Sequence, residues 1–198
     1  MMTKYFNGTY QSNLYRYHAI PKNYNSTNIG LLRDAESLYV SLYNWIKKGK
    51  SLSIIPEGHR DNMKDLDFKN FMKYIYSIKY GYVNNAHWWG KSMDFRNTVS
   101  YDIGPYTLIY CLMYCNNDFM MMLKDKNHID YMIPQSNIDE YMIKYFDQMG
   151  FNTSEFENSI EPHLNKGNYE ETLIDEETSK LIKHKERFIY NQLSIISM

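Results

Sequence analysis

In "NIGLLRDAESLYVSLYNW", residues 28 to 45, an apolar run ends in Arg33 and Asp34, and Ser37 and Ser41 follow at helical spacing. These residue types suit an oxyanion. A planar guanidinium bonds phosphate oxygens bidentately with charge assistance, and a hydroxyl on the next helix fixes the orientation of the group. An arginine at a strand end and a serine a turn and a half into the following helix can meet one phosphate. The same spacing also fits Arg33 paired with Asp34 or Glu36 and Ser41 as an ordinary helix residue; spacing alone leaves both readings open.

The other reactive side chains form weaker patterns. His87 lies beside Trp88 and Trp89 in "NNAHWWGK", a group that could stack on a sugar ring or simply pack as an aromatic connector. His59, Glu57 and Asp61 in "PEGHRD" lack the ligand spacing that would demand a metal. Cys111 and Cys115 are four apart, which puts them on one helix face rather than in a bridge, and no His or Cys stands nearby to make a zinc site. No metal site is expected, and the cysteine usage fits a reducing compartment.

The elements that must position Arg33 and Ser41 follow from periodicity. "NIGLL" is a short apolar run of the kind that fills a buried parallel strand. A helix is predicted from about Ala35 to Lys48, with Leu38, Leu42, Trp45 and Ile46 on one face and Gly49 as its stop. Phe68, Phe71, Met72, Ile75 and Ile78 predict a second helix, and residues 51 to 65 a loop. The segment 82 to 101 reads as an irregular connector. A further helix spans 103 to 118, with Pro105 tolerated only in its first turn. "HIDYMIP", 128 to 134, is the second strand, followed by an amphipathic helix closed by Gly150. The tail "DEETSKLIKHKERFIYNQL" reads as one final helix, acids first and bases later, as the helix dipole favours. Each strand feeds a helix, so the expected class is α/β, helix-rich, with a small parallel sheet flanked by helices.

The chain has 198 residues, with 22 Lys plus Arg against 23 Asp plus Glu. One domain spanning 1–198 is expected, with 1–26 as a polar lead-in. The net charge of −1 gives no general attraction to nucleic acid or anionic membrane, so any anion site must be local. No run approaches the roughly 20 apolar residues that span a bilayer, and the first residues carry no signal-peptide pattern. A soluble, cytoplasmic protein is the expectation.

The block "LLRDAESLYVSLYNW" resembles the 3′-phosphate-binding motif of sulfotransferases that use 3′-phosphoadenosine 5′-phosphosulfate (PAPS): Arg-Asp-Pro, a spacer, then Ser and often Tyr. Arg33, Asp34, Ser41 and Tyr43 fall in register, with Ala35 in place of the proline, which mainly pre-sets the first helical turn. The later segments from "YDIGPYTLIYCLMYC" to the final helix look like the corresponding parts of carbohydrate-type sulfotransferases. The resemblance runs over roughly residues 14 to 193; only the block from Arg33 to Tyr43 has the specificity of a motif.

The resemblance implies a truncated P-loop-like sulfotransferase fold in which Arg33 and Ser41 hold the 3′-phosphate of PAPS and Ser37 is a bystander. Lys166, in "HLNKGNYEE", falls where the family closes basic residues over the cofactor, although Gly167 stands in place of the family's serine. His18 falls where carbohydrate sulfotransferases often carry a histidine and is the candidate general base, a role suited to an imidazole pKa near 6.5. The family's Lys-x-Gly-x-Thr/Ser loop for the 5′-phosphosulfate has no good counterpart before Arg33; Lys4, Gly8 and Thr9 have the wrong spacing and no preceding strand. The chain is therefore expected to begin after that loop, with a second chain supplying it or with the loop lost. Two functions follow: sulfuryl transfer from PAPS to a hydroxyl, on a glycan acceptor, or a non-catalytic domain that binds PAPS or 3′,5′-adenosine bisphosphate.

Overall fold

A computed structural model of the chain describes residues 29–49, 59–78, 82–83, 93–94, 102–115, 118–124, 126–150, 152–154 and 172–196. These residues are helix-rich with a small parallel sheet, a coarse α/β arrangement. Strand β1 (Ile29–Leu32) leads into helix α1 (Ala35–Lys47). Helices α2 (Arg60–Met63) and α3 (Phe68–Ser77) come next. Two-residue strands β2 (Tyr82–Val83) and β3 (Met93–Asp94) pair antiparallel. Helices α4 (Pro105–Tyr114) and α5 (Phe119–Leu123) precede strand β4 (Tyr131–Pro134). A 3-10 turn (Gln135–Asn137) opens helix α6 (Ile138–Gln148), and α7 (Glu176–Lys185) and α8 (Arg187–Ile196) follow.

Strands β1 and β4 are parallel neighbours, Ile29 opposite Tyr131 and Leu32 opposite Pro134. The C-terminal ends of both strands thus lead into helical segments on the same side. Gly30 faces Met132 across the ladder, where an added Cβ would come within 3.0 Å of the Met132 sulfur. The glycine lets the strands close over that side chain.

The core has two parts. One packs Ala35, Tyr39, Leu42, Tyr43 and Ile46 of α1 against Phe68, Phe71, Met72 and Ile75 of α3 and Ile182 of α7. Tyr43 meets Phe71 edge-on at 5.1 Å between ring centres, a geometry that adds to area burial. The other gathers Leu32, Tyr110, Cys111, Cys115, Met122 and Ile189 between β1, α4, α5 and α8. Both cysteines are free and buried.

Several boundaries differ from the sequence reading. The buried face of α1 is turned towards Tyr39 and Tyr43, leaving Trp45 37% exposed. Residues 60–63, expected as loop, form a turn of helix. The helix expected over 103–118 stops at Tyr114, and a short separate helix starts after Asp118. The single final helix is two, broken at Glu186. Gly150 closes α6 at φ 78°, the left-handed conformation that glycine adopts without strain.

Candidate functional site

The junction of β1 with α1 is built by local capping. Asp34 leaves the helical conformation, and its Oδ1 accepts from the backbone N–H of Ser37 at 2.8 Å. Ala35 is therefore the first helical residue, the position where proline costs a helix least, and it is fully buried. The Ser37 hydroxyl donates back to the Asp34 carbonyl at 2.9 Å.

Arg33, one residue past the strand, runs along the same row of α1 as Ser37 and Ser41. Its Nε donates to Ser37 Oγ at 3.1 Å and its Nη2 to the Ser37 carbonyl at 2.9 Å. Ser37, expected as a bystander, is thus the residue that orients the guanidinium; the fork engages it rather than Ser41. These bonds take two of the five N–H groups of a guanidinium. Ser41 is half-buried one turn farther on. Neither neighbouring acid pairs with Arg33: Asp34 caps the helix, while Glu36 accepts from the Ser179 hydroxyl and lies 3.7 Å from Lys183 Nζ.

The backbone of Arg33 is held by a residue far away in sequence. Tyr106 Oη accepts from Arg33 N–H at 2.9 Å and donates to the Arg33 carbonyl at 3.0 Å. Burial pushes the Tyr106 phenol far above its ordinary range, so the hydroxyl keeps its proton and can serve both bonds. Two residues upstream, Tyr114 Oη donates to the Leu31 carbonyl at 2.7 Å. Two tyrosines of α4 thereby bond backbone groups of Leu31 in β1 and of Arg33 just past it.

Tyr106 is in turn fixed by a buried carboxylate. Glu186, fully buried at the break between α7 and α8, places Oε2 at 2.8 Å from the Thr107 backbone N–H and 2.6 Å from its hydroxyl. Its Oε1 accepts from Tyr39 Oη, which lies 3.4 Å from the Tyr106 backbone nitrogen. Glu186 therefore caps α4 from outside the helix. Gly104, the residue at the N-cap of α4, has no side chain to do so, and a Cβ there would collide with Glu186 Oε1. Burial raises the Glu186 pKa against the lowering pull of its hydrogen bonds.

On the outer side of this break Asp102, held at φ 47°, bonds His184 Nε2 at 2.9 Å and Lys185 Nζ. The Arg187 Nη1 donates to the Asp102 carbonyl at 2.9 Å and to that of His184 at 3.1 Å. The Lys185 hydrogen bond, followed by that of His184, holds the Asp102 carboxyl below the usual range. These groups tie the start of α4 to the end of α7. His59 Nδ1 meets Tyr74 Oη at 2.9 Å, and no cluster of three or more His, Cys, Asp or Glu suited to a metal occurs among the described residues. No helix among them is long and apolar enough to cross a membrane.

His18, Lys166 and His87 lie outside the described residues. Of the proposed ligand residues the structure describes Arg33 and Ser41, two turns apart on one row with Ser37 between them. Ser37 was legible as the residue between them. Tyr106 and Glu186 were not, because no local pattern links either to residue 33. Comparison with known proteins gives no match: no family model, no curated protein and no solved structure is significantly similar to this chain.

Proposed function

We propose that the β1–α1 junction binds the 3′-phosphate of an adenosine nucleotide and that the chain is a PAPS-dependent sulfotransferase acting on a carbohydrate hydroxyl. The observation that carries this reading is the placement of Arg33. It stands at the end of a parallel strand, held by Ser37 and Tyr106, with three guanidinium N–H groups beyond those given to Ser37 and with Asp34 and Glu36 engaged elsewhere. The residue that replaces the family's proline, Ala35, occupies the first helical position, where that proline would fit.

In this reading Arg33 and Ser41 bind and orient the nucleotide, and Ser37 fixes the guanidinium plane. Sulfuryl transfer forms a bond from the acceptor oxygen to sulfur and breaks the bond from sulfur to the phosphate oxygen. The electron pair leaves with 3′,5′-adenosine bisphosphate, and the acceptor proton passes to a base. His18 is the proposed base and Lys166 a proposed second cofactor contact, each resting on the sequence resemblance alone.

A second reading is nucleotide binding without turnover, for which Arg33 and the groups that hold it suffice. Calorimetry with 3′,5′-adenosine bisphosphate tests both readings, and absence of binding at millimolar ligand overturns both. With binding established, labelled sulfate appearing on an oligosaccharide acceptor selects the enzyme. Binding without transfer across a panel of acceptors, also in the presence of a loop-bearing sulfotransferase chain, selects the binding domain.

A further inference from the structure

We propose that Tyr106 is a positioning residue of the nucleotide site, its hydroxyl fixing the Arg33 backbone so that the guanidinium meets a 3′-phosphate in one orientation. The inference rests on the reading of Arg33 as a phosphate ligand and deepens it. Arg33 lies between the last strand residue and the cap of α1, where neither ladder nor helix holds its backbone. One hydroxyl takes both its N–H and its carbonyl, at 2.9 and 3.0 Å. A turn about φ or ψ of Arg33 would swing the side chain off Ser37, and the bonds from one oxygen to the two peptide units that flank the residue resist it.

The clamp is itself anchored. Tyr106 occupies the second position of α4, next to Thr107, and the first turn of that helix is pinned by Glu186 through the Thr107 N–H and hydroxyl. The Tyr106 ring packs against both core clusters. The hydroxyl thus reaches Arg33 from a rigid element, which the precision of a binding group requires.

The test pairs Tyr106→Phe with Tyr114→Phe, a control that removes the neighbouring hydroxyl from Leu31, two residues upstream of Arg33. Affinities for 3′,5′-adenosine bisphosphate and for 5′-AMP are measured by calorimetry, since only the first carries the 3′-phosphate. Loss of the clamp is expected to weaken bisphosphate binding about threefold to tenfold, as loss of one or two neutral hydrogen bonds would, with 5′-AMP within about twofold. Tyr114→Phe should leave the ratio of the two affinities unchanged. In an Arg33→Ala background the effect of Tyr106→Phe on that ratio should vanish. Equal losses for both ligands, or equal effects of the two tyrosine variants, would make the role of Tyr106 structural only and overturn the proposal. Amide exchange at Arg33 reads the clamp without ligand: faster exchange in Tyr106→Phe supports it, and unchanged exchange overturns it. Failure of the wild type to bind the bisphosphate, with that exchange still accelerated, refutes the nucleotide site while leaving the clamp itself intact.

Discussion

Two helix starts, those of α1 and α4, solve the same problem in opposite ways. Each leaves backbone N–H groups without helical partners and a partial positive charge. At α1 the cap is local: Asp34 serves Ser37, three residues on, and Arg33 adds a full charge at the strand end. At α4 the cap arrives from Glu186, 79 residues beyond Thr107, and its carboxylate fills the place that Gly104 leaves open. The protein has put its own carboxyl group at α4 and, at α1, an arginine that bonds Ser37 through two of its guanidinium N–H groups. Tyr106 links the two starts, reaching from α4 to the backbone of Arg33.

The largest effect in this comparison should come from emptying the closed start. Glu186→Ala removes the acceptor of three buried donors and should destabilise the fold by roughly 3 kcal/mol, about 1 kcal/mol or more for each donor left buried without its partner. Urea unfolding measures it, and a loss below about 1 kcal/mol would mean that water replaces the carboxylate. Gly104→Ala drives a methyl into that carboxylate and should lose about 1 to 3 kcal/mol, the usual cost of overpacking. At the open start Asp34→Ala removes an ordinary cap and should lose about 1 kcal/mol of stability. A loss at Asp34 larger than that at Glu186 would reverse the assignment of the two starts.

The pH dependence sharpens the contrast. Burial raises the folded-state pKa of Glu186 above its ordinary 4.5. Its contribution is therefore fully present below pH 4.5 and is lost as pH rises through the raised value. Asp102 has the opposite sign: depressed by Lys185 and His184, it contributes above its ordinary 3.8 and loses that contribution as pH falls through the lowered value. Unfolding of wild type against Glu186→Gln from pH 4 to 8 should show the wild type losing ground as pH rises. A gap that grows in favour of the wild type would show that the hydrogen bonds, not burial, dominate. Asp102→Asn should flatten the acid side only.

The same contrast explains what the sequence made legible. Asp34, Asp67, Asp118 and Asp175 each cap the helix that follows from within three residues, and periodicity marked β1, α1, α3, β4 and α6 because their apolar sets are local. The break at Glu186 was hidden, since "LIKHKERFIYNQL" continues a helical pattern without a breaker. What stops the helix is distant: Glu186 turns inward to α4, and Gly104 N–H donates to the Lys185 carbonyl at 2.9 Å. Helices α2 and α5, of four and five residues, are too short to show a period. Residue type and spacing left Arg33 and Ser41 open between an anion site and an ordinary helix start; of the groups that hold Arg33, Ser37 is its neighbour on α1, whereas Tyr106 could be found only in three dimensions.

The central claim is that Arg33 reads a 3′-phosphate. Calorimetry of wild type and Arg33→Ala with 3′,5′-adenosine bisphosphate and with 5′-AMP tests it most directly. The wild type should prefer the bisphosphate, and Arg33→Ala should lose about 1.5 to 3 kcal/mol of bisphosphate binding, as for hydrogen bonds to a charged group, with 5′-AMP little changed; Ser41→Ala should lose about 1 kcal/mol. Equal bisphosphate affinity in wild type and Arg33→Ala would contradict the claim.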